Sequence, residues 1–200
     1  IIEKYSTMGG TCLNVGCIPS KSLLDSSHHY EEAINKFSEH GIDIKGEINV
    51  DLSKMTARKQ AVVDQTTKGI DFLMKKNKIK VFNGVGSFKD NKNVNLIVDG
   101  KVAETINAKN IIIATGSKPS KLPFAEIDKE RIITSTETLS LKEVPKHLIV
   151  VGGGVIGLEL GQVYSRLGAK VSIIEYQERI IPSMDYSLSK ELAKILKKQK

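Results

Sequence analysis

The residues best suited to chemistry in this chain are its two cysteines, Cys12 and Cys17, in a glycine-rich stretch from residue 9 to residue 21. Small residues before and between them let the two sulfur atoms approach, and a run that favours a helix follows. A thiolate at a helix N-terminus is stabilised by the helix dipole. Lys21, four residues after Cys17, adds positive charge on the same helical face. This pattern predicts a redox-active disulfide at the start of a helix.

A zinc half-site or two unrelated buried thiols are the alternatives for the cysteine pair. Structural zinc takes four ligands, and the nearest other candidates, His28 and His29, are adjacent and so point in different directions on a helix. The glycine-rich, charged setting argues against unrelated buried thiols. We therefore expect no metal site.

A second glycine-rich motif, at 152–157, lies between a strand predicted at 147–151 and a helix predicted at 158–167. A further strand at 170–174 ends in Glu175. In such a fingerprint the first glycine makes a tight turn, the second lets the backbone approach a pyrophosphate, and the last allows close helix packing. The pyrophosphate is bound at the helix N-terminus. This context predicts a dinucleotide site.

Glu175 bears on which dinucleotide binds. A carboxylate accepts hydrogen bonds from both hydroxyls of the adenosine ribose and repels a 2′-phosphate, which predicts NAD. Arg179, four residues later, keeps NADP as the alternative.

Hydrophobic periodicity predicts the elements that position these motifs. A helix is predicted over 12–40 with Gly41 as its stop, then a loop at 42–50 and a helix over 52–76 capped by Asp51. The remaining predictions are strands at 78–82, 94–98 and 102–106, a turn at 90–93, a hairpin turn at Asp99–Gly100, and a buried parallel strand over 110–117. The glycines of the 84–86 stretch predict either a bulge or a close backbone approach to a ligand.

The stretch from Gly9 to Lys21 resembles the redox motif of the flavin-dependent pyridine nucleotide-disulfide oxidoreductases. Within that family it is most similar to the branch that oxidises dihydrolipoyl groups. Leu13, Ile18 and Ser20 carry this distinction. The branch that reduces glutathione disulfide usually has Val, Val and Lys there, and the mercuric ion branch has Val, Val and Ser.

The resemblance implies an α/β fold with two Rossmann-like dinucleotide-binding domains, FAD then NAD, both incomplete here. Residues 1–117 would belong to the FAD domain, 118–147 to a connection, and 148–200 to the NAD domain. The implied FAD contacts are Glu3, Gly9, Gly10, Thr11, Cys12, Lys21, Gly86, Thr115, Gly116 and Ser117. The implied NAD contacts are Gly152, Gly153, Gly154, Val155, Ile156, Gly157, Leu158, Glu159 and Glu175.

The implied mechanism begins with attack of a substrate thiolate on Cys12. Cys17 then becomes the thiolate that passes electrons to the flavin, with Lys21 supporting the developing negative charge, and NAD is the final acceptor. The family's His–Glu acid/base pair has no counterpart among these residues. The alternatives are another disulfide reductase of the family, of the glutathione or mercuric type, or an inactive truncated NAD-binding fragment.

The implied partners are the lipoyl domains of 2-oxo acid dehydrogenase complexes or the carrier protein of glycine cleavage, with a homodimer in the full-length protein. The resemblance implies the mitochondrial matrix, with the bacterial cytoplasm as the alternative.

Composition and charge narrow the classes of function that the chain could have. The net charge is +7 and 40% of residues are apolar, yet no basic patch with interleaved aromatic residues predicts nucleic-acid binding. No apolar run approaches the ~20 residues that span a membrane. The chain opens with Ile1 and ends inside an amphipathic pattern, so we interpret it as an internal segment of a longer protein.

Overall fold

The computed structural model describes residues 1–199, which fall into two units. The first comprises Ile1–Ile18 and Ala61–Lys118, and the second comprises Pro19–Gln60 and Pro119–Lys200. The domains that the sequence analysis assigns to FAD and NAD use other boundaries and stay a prediction. The mixture of helices with parallel and antiparallel sheets confirms the α/β class.

The first unit contains a two-stranded parallel sheet and a three-stranded antiparallel sheet. Its elements are β1 (Ile2–Glu3), α1 (Gly10–Val15), β2 (Phe82–Asn83), β3 (Val85–Phe88), β4 (Asn93–Val98) and β5 (Lys101–Asn107), together with the part of a long helix (Leu52–Lys76) from Ala61 onward. β1 pairs with β2, and β3, β4 and β5 follow one another as a meander. Asp99 and Gly100 have φ values of 50° and 75°, as a two-residue hairpin turn requires, so that predicted turn is confirmed.

Two strand predictions in this unit need correction. The strand predicted at 78–82 is confined to β2, and β3 was not predicted. The strand predicted at 110–117 is wrong, because no strand forms there and Ile112 and Ile113 are 88% and 69% exposed. A strand needs a neighbour to take its backbone hydrogen bonds, and the described β1–β2 sheet offers none to these residues.

The second unit is built on one parallel βαβ unit and the helices packed on it. Its elements are most of α2 (Cys17–Asn35), a 3-10 turn (Phe37–His40), the start of α3 (Leu52–Lys76), α4 (Ser135–Thr138), β6 (His147–Val151), α5 (Val155–Arg166), β7 (Lys170–Ile174) and α6 (Tyr186–Gln199). The register of β6 and β7 runs from His147 opposite Lys170 to Val151 opposite Ile174. The predicted strand–glycine loop–helix–strand order is confirmed.

The helix boundaries follow local sequence signals. The predicted helix over 12–40 is broken at Gly16 and ends at Asn35. The predicted stop at Gly41 is confirmed, because its φ is 73° and its N–H caps the 3-10 turn. The Asp51 carboxylate accepts from the Lys54 N–H at 2.9 Å, so Asp51 is the predicted cap of α3.

The hydrophobic core of the second unit lies between its helices. The segment 138–140 packs into this core. Its least exposed members are Leu23, Val163 and Tyr164. The Tyr164 hydroxyl donates to the Thr138 carbonyl at 2.5 Å. Lys59 is almost fully buried, and its ammonium donates to the carbonyl of Leu139 and the hydroxyl of Ser140. Residues 138–140 therefore supply the hydrogen-bond acceptors that the buried side chains of Tyr164 and Lys59 need. Among the described helices, none has the length and hydropathy needed to cross a bilayer.

Candidate functional site

The two cysteines lie on either side of a helix break and form a disulfide bond. Cys12 lies in α1, Cys17 is the first residue of α2, and Gly16 separates the two helices. The Cα atoms of the cysteines are 4.6 Å apart. Both cysteines are exposed, so a thiol in solution can reach the bond. The predicted disulfide at a helix start is confirmed as a bond, and its redox role stays a prediction.

Gly16 makes this arrangement possible. A Cβ added there would lie 2.8 Å from the Thr11 carbonyl oxygen and 2.9 Å from the Cys12 Cα, so any side chain would force the helices apart. Asn14 holds the preceding loop, because its side-chain amide donates to the carbonyls of Met8 and Gly10 at 3.1 and 2.9 Å. This clamp was not predicted, although an amide side chain beside a glycine loop is its sequence signal.

Lys21 makes an ion pair in the second unit. Its ammonium donates to both carboxylate oxygens of Glu159, at 2.6 and 2.8 Å. Lys21 belongs to α2 and Glu159 to the second turn of α5, so the pair ties these helices together. The side chain of Lys21 is 60% exposed and that of Glu159 is 26% exposed. Both carboxylate oxygens of Glu159 are therefore paired with the Lys21 ammonium.

In the first unit, most residues predicted to contact FAD lie at the end of β1, beside or within α1 and in the segment 115–117. Glu3 is the last residue of β1, and its carboxylate accepts from the Tyr5 N–H at 2.9 Å. Thr11 and Gly116 come together, since the Thr11 hydroxyl lies 3.7 Å from the position a Cβ of Gly116 would take. Thr115 and Ser117 flank that glycine in an exposed, irregular segment.

Gly86 lies within β3 opposite Leu96, and a Cβ there would make only ordinary contact with Ile2, at 3.4 Å. The glycine required by packing is Gly84, where a Cβ would lie 2.6 Å from the Ile97 carbonyl oxygen. Irregular pairing occurs between Leu96 and Ile97. The pairing skips Ala103, so the extra residue of this bulge lies in β5 and not in the 84–86 stretch. A flavin contact at Gly86 stays a prediction.

The second glycine loop, at 152–157, lies where β6 leads into α5. A Cβ at Gly157 would lie 2.7 Å from the Val150 side chain and 2.8 Å from the Gly152 carbonyl oxygen, so glycine permits this close contact of helix and strand. A Cβ at Gly154 would meet nothing within 4 Å. The helix start has no side-chain cap, so its first N–H groups and the open space at Gly154 fit an anion.

Glu175 closes this loop from the end of β7. Its two carboxylate oxygens accept from the N–H groups of Gly153 and Gln177, at 2.6 and 2.7 Å. The hydrogen bonds from Gln177 and Gly153 hold the pKa of Glu175 below its usual value. An ionised carboxylate with unused lone pairs at this position fits the hydroxyls of a ribose.

The other predicted NAD positions differ in accessibility. Val155 and Ile156 are exposed at the start of α5, whereas the side chain of Leu158 is buried. A Cβ at Gly153 would lie 2.8 Å from the Ile180 side chain, so the loop after β7 covers this glycine. Across residues 1–199, His, Cys, Asp and Glu form no group of three or more suited to a metal ion.

A sequence model described as pyridine nucleotide-disulphide oxidoreductase matches residues 1–200. The chain is 48% identical over 199 residues to the mitochondrial dihydrolipoyl dehydrogenase of Schizosaccharomyces pombe, covering 99% of this chain and 39% of that protein. It is also 48% identical over 199 residues to the mitochondrial dihydrolipoyl dehydrogenase of Dictyostelium discoideum, covering 100% of this chain and 41% of that protein.

Among solved structures, the chain resembles the HOCl-induced flavoprotein disulfide reductase RclA of Escherichia coli, with a TM-score of 0.77 and 29% identity. This match covers 99% of the chain and 41% of RclA. The chain thus spans 39% to 41% of the length of these curated relatives. These matches confirm the resemblance carried by the redox motif.

Proposed function

Because the chain belongs to the pyridine nucleotide-disulphide oxidoreductase family, we propose that it is part of a dihydrolipoyl dehydrogenase. Such an enzyme oxidises dihydrolipoyl groups and reduces NAD. The observation that carries the proposal is the exposed Cys12–Cys17 disulfide at the N-terminus of α2. The two relatives described above bear the name of that enzyme.

The disulfide is the group that reacts with the substrate dithiol. One substrate thiolate attacks Cys12 Sγ, the bond to Cys17 breaks, and Cys17 leaves as a thiolate. The second substrate thiol then attacks the mixed disulfide, which releases a cyclic disulfide product and the Cys12 thiolate. Two electrons pass to the cysteine pair, and the two substrate thiol protons pass to solvent or a base.

FAD and NAD are the cofactors of this proposal. When bound, FAD would supply the two-electron chemistry that links the reduced cysteines to NAD. The residues that would hold FAD are Glu3, Gly9, Gly10, Thr11, Cys12, Lys21, Gly86, Thr115, Gly116 and Ser117. The residues that would hold NAD are Gly152, Gly153, Gly154, Val155, Ile156, Gly157, Leu158, Glu159 and Glu175.

Lys21 supplies positive charge one helical turn after Cys17, and Glu159 fixes its ammonium. A positive charge there favours the thiolate of Cys17 and stabilises negative charge on a neighbouring acceptor. Glu175, held as a carboxylate by two backbone N–H groups, accepts from the ribose hydroxyls.

The protein substrates of this proposal are lipoyl domains of 2-oxo acid dehydrogenase complexes or the carrier protein of glycine cleavage. The full-length protein would act as a homodimer in the mitochondrial matrix. The names of the relatives support a mitochondrial location. Since the chain spans only 39% to 41% of those relatives, we expect the 200 residues alone to exchange disulfides without catalytic turnover.

The first test is stoichiometric reduction of the chain by dihydrolipoamide, with thiols trapped by N-ethylmaleimide and counted by mass spectrometry. We expect two trapped thiols and one lipoamide per chain. The Cys12→Ser variant, which has no disulfide, should yield no lipoamide. A wild-type disulfide that survives excess dihydrolipoamide would contradict the proposal.

The second test distinguishes branches of the family and uses the full-length gene product. We expect NAD-linked oxidation of dihydrolipoamide, and no NADPH-linked reduction of glutathione disulfide or mercuric ion. Activity with glutathione disulfide or mercuric ion instead would assign the protein to another branch.

A further inference from the structure

Arg179 lies four residues after Glu175, close enough in sequence to serve a nucleotide phosphate, yet its guanidinium is engaged within its own loop. Its Nη2 donates to the Pro182 carbonyl at 2.9 Å, and its Cζ lies 5.6 Å from the centre of the Tyr186 ring. Its Nη1 is buried and makes no hydrogen bond within the described part of the chain. The guanidinium is therefore held toward the start of α6.

The loop that carries Arg179 is fixed to the glycine loop at several points. The Ile181 N–H donates to the Gly153 carbonyl at 2.8 Å, and the Ile180 side chain packs on Gly153. The hydroxyl of Ser189, a buried residue of α6, donates to the Ile180 carbonyl at 2.7 Å. Ile181 has a φ of 40°, a conformation rare for a β-branched residue. Such a backbone persists only where surrounding contacts over-determine it.

Two carboxylates, those of Asp185 and Glu175, lie near the loop that carries Arg179. Asp185 precedes α6. Hydrogen bonds from the Ser187 hydroxyl and N–H lower the pKa of its carboxyl group, and the positive charge of Arg179 adds a smaller effect in the same direction. Glu175 is ionised beside Gly153. A 2′-phosphate on the adenosine ribose would meet the Glu175 carboxylate, and the nearest arginine in sequence would be turned to Pro182 and Tyr186.

We propose that Tyr186 and the Pro182 carbonyl withhold Arg179 from the nucleotide, and that this clamp is a second determinant of specificity for a dinucleotide with a free 2′-hydroxyl. Glu175 acts by accepting from the ribose hydroxyls and by repelling a 2′-phosphate. The clamp acts by removing Arg179, a nearby cation that could offset that repulsion. This inference rests on the NAD site proposed above.

The clamp predicts that removing Glu175 alone will not convert the site. In the Glu175→Ser variant the repulsion is lost, but Arg179 still contacts Tyr186 and Pro182. The Glu175→Ser/Tyr186→Leu double variant also removes the aromatic face, so Arg179 becomes able to pair with a phosphate. Tyr186 is 68% exposed, so its replacement by leucine spares the core.

The experiment is isothermal titration of the 200-residue chain and its variants with ADP-ribose and with 2′-phospho-ADP-ribose. Wild type should bind ADP-ribose and discriminate against the 2′-phosphate. Glu175→Ser should bind 2′-phospho-ADP-ribose weakly. The double variant should bind it about tenfold more tightly than Glu175→Ser, the effect of one charge-assisted hydrogen-bonded contact.

Two further variants identify the source of that gain. Glu175→Ser/Tyr186→Phe keeps the ring and should bind 2′-phospho-ADP-ribose no better than Glu175→Ser. Adding Arg179→Gln to the Glu175→Ser/Tyr186→Leu variant should abolish the gain, because the gain comes from the guanidinium. Circular dichroism of each variant verifies that the fold is retained.

Each other outcome has a definite consequence. If wild type binds ADP-ribose but Glu175→Ser already binds the 2′-phosphate as tightly as the double variant, the clamp is overturned and the NAD site stands. A gain that persists without Arg179 also overturns the clamp. If wild type prefers the 2′-phosphate, or binds neither probe, the proposed NAD site falls and the clamp falls with it.

Discussion

The Lys21 ammonium donates to both carboxylate oxygens of Glu159, at 2.6 and 2.8 Å, although the two residues are 138 positions apart. Lys21 stands one turn into the helix that begins with Cys17, and Glu159 stands one turn into the helix that begins at the glycine loop. The helix that follows the disulfide and the helix that follows the glycine loop therefore share one ion pair within the second unit.

We expect this ion pair to contribute little to stability, because the Lys21 side chain is 60% exposed. A double-mutant cycle with Lys21→Met and Glu159→Gln, measured by urea unfolding, should give a coupling energy of about 0.2–1 kcal/mol. The coupling should shrink in high salt. The exposed Lys194–Glu191 pair, with one contact at 3.5 Å, serves as the matched control and should couple less. A coupling well above this range would mean that the pair is a structural anchor.

Two glycines at the start of α5, Gly154 and Gly157, should respond differently to replacement by alanine. In Gly157→Ala the new Cβ would lie 2.7 Å from the Val150 side chain and 2.8 Å from the Gly152 carbonyl oxygen. We expect a loss of about 1–3 kcal/mol in the free energy of unfolding, since overpacking outweighs the gain in helix propensity. Urea denaturation followed by circular dichroism measures the change.

Gly154→Ala is the matched control for that prediction. Its Cβ would enter open space, so the free energy of unfolding should change by less than about 1 kcal/mol. The same Cβ would enter the space proposed for the pyrophosphate, so ADP-ribose binding should weaken. A stable Gly154→Ala chain that binds ADP-ribose normally would remove the pyrophosphate from this position.

Local signals account for the parts of the structure that the sequence predicts well. The Asp51 cap, the Gly41 stop and the hairpin turn at Asp99–Gly100 each depend on a few neighbouring residues, and each is confirmed. The need for glycine at position 157 is likewise local, because it comes from the nearby residues Val150 and Gly152.

Long-range pairing accounts for what the sequence analysis missed. The apolar run at 110–117 carries the composition of a buried strand, but composition does not supply a pairing partner, and Ile112 remains exposed. The Lys21–Glu159 pair joins distant positions, so periodicity could place each residue on a helix but not bring them together. The break at Gly16 is a local feature that was also missed, because it depends on close backbone contacts with Thr11 and Cys12 that the residue types do not reveal.

Tyr164 should make stability depend on alkaline pH. Burial raises the pKa of its hydroxyl from 10.0 to about 12. As the pH rises, the unfolded chain therefore loses this proton before the folded chain does. The contribution of the Tyr164 hydroxyl to the free energy of unfolding is fully present below pH 10 and is lost as the pH rises toward 12. Up to about 2–3 kcal/mol should be lost over that range.

The Tyr164→Phe variant isolates this contribution from other groups that titrate at high pH. At pH 7 it should be about 1–3 kcal/mol less stable, because the Thr138 carbonyl loses its donor. Its free energy of unfolding should fall less steeply than that of wild type between pH 10 and 12. Parallel curves for the two proteins in urea titrations would show that the Tyr164 proton is not linked to folding.

Glu175 should make nucleotide binding insensitive to mild acid. Hydrogen bonds from the N–H groups of Gln177 and Gly153 hold the pKa of Glu175 below its usual value of 4.5. The carboxylate therefore stays charged as the pH falls from 8 to 5, and ADP-ribose affinity, measured by isothermal titration, should stay constant over that range. Below the usual glutamate range, protonation removes an acceptor and affinity should fall.

The Glu175→Gln variant is the control for this pH dependence. Its affinity for ADP-ribose at pH 7 should be about tenfold lower, the effect of losing charged acceptors. The ratio of wild-type to variant affinity should shrink only in strong acid. A ratio that already shrinks markedly between pH 5 and 4 would show that Glu175 titrates in its ordinary range and that its two backbone hydrogen bonds do not hold the charge.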